Sequence, residues 1–398
     1  MRVFPIAAFT PRPALAARVA FTSQDPDLPA HARDPESYLR VVKPQLVRPG
    51  LRQGTSEFLE ASAGQFHSLV DRGSLTAHTP ACWLYRQELQ DGTCFEGWIL
   101  GISALDYEEG NIRKHENTIR DKESRLARHI RLLESVAEPV LLAGSLPEEL
   151  HALSGSTRKG PATLDFQDSI GRRHMLWIKD SDPEVELIRR AFGGVESLYI
   201  ADGHHRSAAT CLHIREAGLD PEQNGIMALV MDKDNLSIKS FHRAIHAEAT
   251  PGKLQEICKQ QNWEMIPAAQ VPDHQESGTL MAWSQEGLFA LRPRAGLHSA
   301  GFAERLDVAR LEAELFPGLF GIENTREDSR ISFLRGDVPH GRLKLLLQEG
   351  KADWIFMVAA STMDDIVRVA DAGEVMPPKS TFVEPKLMTG MLIMRLKI

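Results

Sequence analysis

The chain has 398 residues, 42% hydrophobic and 25% charged, the composition of a globular protein long enough for two or three domains. Its 54 acidic and 46 basic side chains give a formal net charge of -8, which argues against a general nucleic-acid binder but leaves room for a local basic pocket. It has no run of about 18 apolar residues, so no membrane span is expected, and cytoplasm is the expected compartment.

The first residues, MRVFPIAAFTPRPALAARVAF, contain arginine and few acids, as a transit peptide does, but three prolines interrupt them and no apolar core suits a signal peptide. The stretch TSEFLEASAGQFHSLVDRG predicts a helix with Phe58, Leu59, Phe66 and Leu69 on its buried side. ACWLYRQEL and CFEGWILGISAL predict two strands, and Asp91-Gly92 between them predicts a hairpin. From about Asp121 a charged helix is expected, with Leu126, Ile130 and Leu133 on one face. PVLLAGS predicts a buried strand, SLPEELHALSG a helix and HMLWI a strand. DPEVELIRRAFGG predicts a helix capped by Asp182 with Pro183 in its first turn.

LYIADGHHRSAAT, residues 198–210, joins a short buried strand to a helix that Gly218 ends. GIMALVMDKDNLSIKSFHRAIHAE predicts two adjacent strands joined through Asp-Lys-Asp-Asn, and 251–300 a helix and further strands. ADWIFMVAAST predicts a strand, MDDIVRVADAG a helix, EVMPPKSTFVEPK a loop, and LMTGMLIMRL a last strand. Strands and helices interleave, so the expected class is α/β or mixed α+β, with several small mixed sheets flanked by helices. Cysteines 82, 94, 211 and 258 form no C-x-x-C pair, so neither a zinc site nor a redox motif is supported. The common phosphate-loop, dinucleotide, zincin and hydrolase-elbow motifs are absent from the sequence.

Three polar clusters are candidates for chemistry. At the strand-to-helix junction, Gly203 lets a ligand approach the backbone, and helix N–H groups favour an anion. His204, His205 and Arg206 add charged donors, and Asp202 can orient a histidine, hold a metal or accept a proton. The plainer account is an Asx turn with surface histidines, but two histidines followed by arginine serve no evident structural purpose there. In RKHENTIRDKESRLARH, Lys114, His115, Glu116 and Thr118 precede a helical stripe of Lys122, Arg125 and His129. By spacing alone that stripe reads as a solvated charged face. In VMPPKSTFVEPK, prolines stiffen the chain ahead of Lys379, Ser380 and Thr381, as suits either ligand positioning or a plain surface turn. Arg326 and Arg330 in GIENTREDSRISF are a weaker anion-binding candidate beside the alternative of ordinary surface charge.

Together these stretches resemble family 1015 of the domains of unknown function (DUF1015). ADGHHR, the KHE-x-T stretch at 114–118 with the later Lys122-Glu123, Arg125 and His129, and DAGEVMPPKSTFVEPKL carry the resemblance. YRQ at 85–87, SFHR at 240–243, LDV at 306–308 and GIEN-T-R at 321–326 follow in the family's order. One departure is local. The family's A-P-P-Y-D-V-like stretch is replaced by AFTSQDPDLPAH, with Asp25 and Asp27 the candidates to stand in for its aspartate.

The Asp-Gly-His-His-Arg turn is similar to the phosphate-binding turn of the ParB/sulfiredoxin-like group, which includes kinases of free L-serine. The resemblance implies a ParB/sulfiredoxin-like core and a phosphotransferase making O-phosphoserine. The expected donor is pyrophosphate, ADP or ATP, with Mg²⁺ as the expected cofactor. In this reading Asp202, His204, His205 and Glu116 are catalytic. Gly203, Arg206, Lys114, His115, Lys122, Arg125, His129, Lys379, Ser380 and Thr381 bind phosphate or substrate. Region 1–250 carries the turn and the charged helix, and region 251–398 closes the site with the MPPKST loop. The expected partner is a small molecule, with neither nucleic acid nor membrane. The alternative is a non-catalytic regulator that binds a phosphometabolite or nucleotide, and the altered N-terminal stretch favours it. ParB-like DNA work is disfavoured by the acidic balance, and sulfiredoxin chemistry by the lack of a cysteine beside the turn.

Overall fold

A computed structural model describes residues 1–272, 275–294 and 301–396. The fold is mixed α/β, and it divides into two compact units. One comprises Met1–Leu236 with Pro385–Ile398, the other Ser237–Glu384.

The first unit is built on a 12-stranded mixed sheet. Its main path runs Ile112–Arg113, Leu198–Asp202, Val140–Gly144, Gly225–Asp232, Cys94–Ser103, Leu75–Glu88, Ile6–Pro11, Ile393–Arg395 and Ser135–Val136. The hairpin across Asp91-Gly92 forms as the turn chemistry predicts, with Gly92 left-handed at φ 88°. Gly225–Asp232 lies between a parallel and an antiparallel neighbour and is buried along almost its whole length, which is why it reads as a continuous apolar run.

One face of the sheet, including Leu84, Trp98, Leu100, Leu142 and Ile200, packs on Ile188 and Phe192 of the helix Asp182–Gly193 and on Ile214 of the helix His204–Glu216. Phe192 is fully buried there, so Phe192→Ala costs about 3–5 kcal/mol. A second core joins Phe66 and Leu69 of the helix Ser56–Asp71 to Tyr38, Leu39 and Leu133.

The charged helix spans Arg120–Leu133 and ends where Glu134 turns left-handed at φ 48°. Ile130 and Leu133 are buried as the spacing predicts, whereas Leu126 is half-buried. The helix expected to be capped by Asp182 is entered through Ser181, whose hydroxyl bonds Glu184 and caps no backbone N–H.

The second unit carries an antiparallel six-stranded sheet in the order Trp263–Pro267, Gly287–Pro293, Leu280–Ser284, Trp354–Met357, Phe241–Ile245 and Ile331–Arg335. Ser237–Lys239 pairs with Phe382–Glu384. The strands flanking Asp-Lys-Asp-Asn therefore belong to different sheets rather than pairing with each other. Part of the structure expected over 251–300 falls on residues 273–274 and 295–300, outside the described residues.

Among the described residues no helix is long and apolar enough to cross a membrane. Cys82, Cys211 and Cys258 are buried free thiols, pushed up to about 12, 12 and 11 by burial, as core residues rather than nucleophiles.

Candidate functional site

The strand Leu198–Asp202 shifts register against Val140–Gly144 between Ile200 and Asp202, which re-aims its last side chain. Gly203 follows with φ 106°, a left-handed geometry that an L side chain adopts only under strain. A Cβ at this position would also meet Arg206 Nη2 at 3.0 Å and Nε at 3.2 Å. The backbone thus favours glycine here, and a Cβ would displace the arginine folded over it.

The helix His204–Glu216 starts directly after, and its first intrahelical bond runs from Ser207 N to Gly203 O. Among the described residues no side chain caps this end, and the positive end of the helix dipole favours an anion there.

Arg206 joins two carboxylates. Its Nη1 pairs with Glu138, and its Nη2 lies 3.0 Å from Asp202 Oδ2 and donates to the Pro139 carbonyl at 3.3 Å. Lys386 Nζ reaches Asp202 Oδ1 at 3.2 Å, and the Thr389 hydroxyl donates to Glu138 at 2.6 Å. The result is an alternating row, Glu138–Arg206–Asp202–Lys386.

Burial pushes the Asp202 carboxyl up, but Arg206 and Lys386 outweigh it and hold the group below its ordinary range. Burial likewise opposes the charge of Arg206, and Glu138 and Asp202 overcome it. Arg206 Nε is buried and without a hydrogen-bond partner among the described residues. This row borders a cavity of about 500 Å³, a size typical of small-molecule sites. Tyr38, Leu133 and His129 line other parts of it.

The two histidines sit on the other side of the turn. His204 is buried, and its Nε2 accepts the backbone N–H of His115 at 3.4 Å. That leaves Nδ1 as the protonated nitrogen, 3.9 Å from Glu116. His115 packs edge-on against it, ring centroids 4.5 Å apart. Burial pushes His204 well down and His115 to about 4, so both rings are neutral. His205 Nδ1 stands 3.5 Å from the Ile119 backbone N–H. Lys114 lies 3.8 Å over the Tyr107 ring, and burial lowers its pKa.

The structure thus gathers Asp202 and Arg206 at the cavity, with Gly203 between them in sequence, and His204, His205, His115, Glu116 and Lys114 in a separate cluster. Of the helical stripe only His129 reaches the cavity. It is lowered by burial and bonds Ser62 at 2.9 Å. Lys122 and Arg125 are exposed, the latter with its stem beside Gly54.

Lys379, Ser380 and Thr381 belong to the second unit. There Lys379 is left-handed at φ 55° with its ammonium 5.3 Å from the Phe241 ring, and Ser380 donates to the Pro377 carbonyl at 2.7 Å. Thr381 is half-buried. Arg326 is exposed, and Arg330 pairs with Asp328.

Sequence reasoning missed Glu138 and Thr389, and it gave Lys386 no role. Glu138-Pro139 directly before a buried strand was the available signal for the first. Among the described residues no group of three His, Cys, Asp or Glu side chains is arranged to hold a metal.

A family model for a protein of unknown function (DUF1015) matches residues 5–309. No curated protein matches the chain. Solved structures that the chain is similar to include a free serine kinase in complex with AMP, at 14% identity and TM-score 0.39, covering 73% of this chain and 90% of that one. A conserved hypothetical protein from Pyrococcus furiosus is 15% identical at TM-score 0.37, covering 73% and 94%. SbnI with a C-terminal truncation, from Staphylococcus aureus, is 10% identical at TM-score 0.39, covering 72% and 82%.

Proposed function

We propose that this chain, which belongs to the DUF1015 family, is a small-molecule phosphotransferase that binds its phosphoryl group at the N-terminus of the helix His204–Glu216. One observation carries the reading. Arg206 Nε is a buried donor without a partner among the described residues, beside an uncapped helix N-terminus. A buried guanidinium donor beside the positive end of a helix suits a phosphate oxygen.

The acceptor in this reading is free L-serine. Its ammonium and carboxylate suit the alternating acids and bases of Glu138, Arg206, Asp202 and Lys386. The serine hydroxyl oxygen attacks the terminal phosphorus of pyrophosphate, ADP or ATP. The bond from phosphorus to the bridging oxygen breaks, and its electron pair leaves with the departing phosphate or nucleotide. The hydroxyl proton passes to a carboxylate, Asp202 or Glu116. Asp202 is held ionised by its two cationic neighbours, so it is available as acceptor.

Positioning and positive charge carry most of such a reaction. Mg²⁺ commonly takes one or two protein carboxylates and completes its shell with substrate phosphates and water, so Glu138 on the cavity lining would hold it, leaving Asp202 to accept the proton. The ion would supply charge neutralisation on the transferring group.

The test incubates the protein with L-serine, Mg²⁺ and, separately, pyrophosphate, ADP and ATP, and follows O-phosphoserine by mass. Product with one donor, lost in Arg206→Ala, is the expected result. No product with any donor overturns the reading.

A second reading, a phosphometabolite-binding regulator without turnover, rests on Asp25. This candidate for the family's N-terminal aspartate is buried, 3.0 Å from His31 Nε2, and accepts bonds from Ser169 and the Asp27 backbone. A rise in melting temperature with pyrophosphate or ADP, without product, is what it expects.

A further inference from the structure

The cavity is larger and more apolar than serine needs. Its charged row occupies one part of the lining. Elsewhere it is bounded by Phe21, Leu28, Tyr38, Val42 and Leu133, which pack together as one hydrophobic cluster. Phe21, Tyr38 and Leu133 are buried, and a single hydroxymethyl group would leave the half-buried Leu28, Val42 and Leu126 of the lining facing water. An apolar surface of this kind is stabilised when a ligand covers it.

The charged row narrows the ligand further. The phosphoryl group of the proposed reaction meets Arg206 Nε at the helix start, but an anion set along the row itself would oppose Asp202 and Glu138, and a cation would oppose Arg206 and Lys386. A dipolar head meets both signs and leaves the net charge of the row unchanged.

We infer that the cavity binds an α-amino acid with a large apolar side chain, its ammonium and carboxylate on the charged row and its side chain on the Phe21–Leu133 wall. Such a ligand occupies the acceptor's place and competes with it. The inference rests on the proposed amino-acid reading of the row, and it adds that the cavity prefers leucine- or phenylalanine-sized side chains over serine's.

Covering the wall with such a side chain corresponds to about tenfold or more in affinity. Calorimetric titration of the whole protein with L-leucine, L-phenylalanine and L-serine reads this directly. Leucine and phenylalanine are expected to bind at least about tenfold more tightly than serine. Isopentylamine and 4-methylpentanoate, leucine without its carboxylate or its ammonium, are each expected to lose about tenfold or more. Leu28→Glu, at a half-buried rim position, is expected to weaken leucine but not serine.

Serine binding as tightly as leucine overturns the inference, as do equal binding of the headless analogues and no amino-acid binding at all. Phosphate transfer measured in the same preparation separates the two readings. Transfer without leucine binding removes only this inference, and leucine binding without transfer removes only the reaction.

Discussion

Lys386 places its ammonium 3.2 Å from Asp202 Oδ1, joining residues 184 positions apart in the sequence. The segment Pro385–Ile398 returns to the first unit after the second is complete, so the row of charges closes only when the chain has come back. Asp202 is therefore an ionised carboxylate held by two cations, one local and one remote. Lys386→Met removes the remote one and is expected to weaken pyrophosphate binding about tenfold, measured by titration.

The same pairing sets a pH dependence. A carboxyl depressed below its ordinary value of 3.8 contributes stability above that pH and loses it as the pH falls through the lower folded value. In Lys386→Met the folded value moves back up, so the contribution is lost at higher pH. Melting temperatures from about pH 5 to 3 should show the acid-side fall of the variant preceding that of the wild type, while Asp202→Asn shows neither contribution. Coincident acid limbs for wild type and Lys386→Met would show that the lysine does not govern the carboxylate.

Gly203→Ala acts on both the backbone and the arginine. At φ 106° a Cβ costs about 1–2 kcal/mol, and it would lie 3.0 Å from Arg206 Nη2. The guanidinium is the far end of a flexible side chain, so it moves aside rather than unfolding the turn. The expected result is a modest fall in melting temperature with a larger loss of phosphate affinity. Equal affinity in the variant would mean that the arginine's position over Gly203 is not what binds the anion.

Much of the fold can be read locally. The helix Ser56–Asp71, the Asp-Gly hairpin and the strand-turn-helix at Gly203 each follow from periodicity and turn residues within a few positions. What could not be read this way depends on partners distant in sequence. Nothing local in Glu138 announces that Arg206 will reach it, and nothing in Pro385-Lys386 announces a return to the first unit. His204 and His205 were legible as candidates by type, but not in direction. The left-handed Gly203 rotates the helix start so that Arg206 meets the cavity, while His204 meets His115. Lys122 and Arg125 share a stripe with His129, yet only His129 sits deep enough on its helix to line the cavity. Spacing places residues on a face without saying how far that face is buried.

His115 supplies a stability prediction with the opposite chemical group. Burial pushes its pKa from 6.5 to about 4, against the pull of Asp202 and a hydrogen bond to the Ile200 backbone. The unfolded chain protonates this ring as the pH falls below about 6.5, whereas the folded chain does not until about 4. Stability is therefore full above 6.5 and lost across that interval. Between pH 7 and 5 the loss from this ring is about 2 kcal/mol. His115→Phe should be less sensitive to acid by about that amount in urea titrations at the two pH values. An unchanged difference would mean that the ring is hydrated or charged in the folded protein.

In the second unit, the guanidinium of Arg243 is wholly buried against Glu312, with Nη2 at 2.7 Å from Oε1. Burial lowers its pKa and Glu312 opposes that, so the charge depends on its partner. The same guanidinium donates to the carbonyls of Phe241, Pro378 and Lys379, while the Thr325 hydroxyl donates to Glu312 at 2.6 Å. One ion pair thus fixes the MPPKST loop, including the strained Lys379, to the strand Phe241–Ile245. Removing one partner leaves a buried charge uncompensated. Glu312→Gln should cost about 3–5 kcal/mol by denaturant unfolding and speed hydrogen exchange at Lys379 and Ser380. Replacing both residues, Arg243→Met with Glu312→Leu, should recover most of the stability but not the exchange protection, because the loop carbonyls lose their donor. A cost below about 1 kcal/mol for Glu312→Gln, with exchange unchanged, would mean that the loop is held by its prolines and not by the arginine.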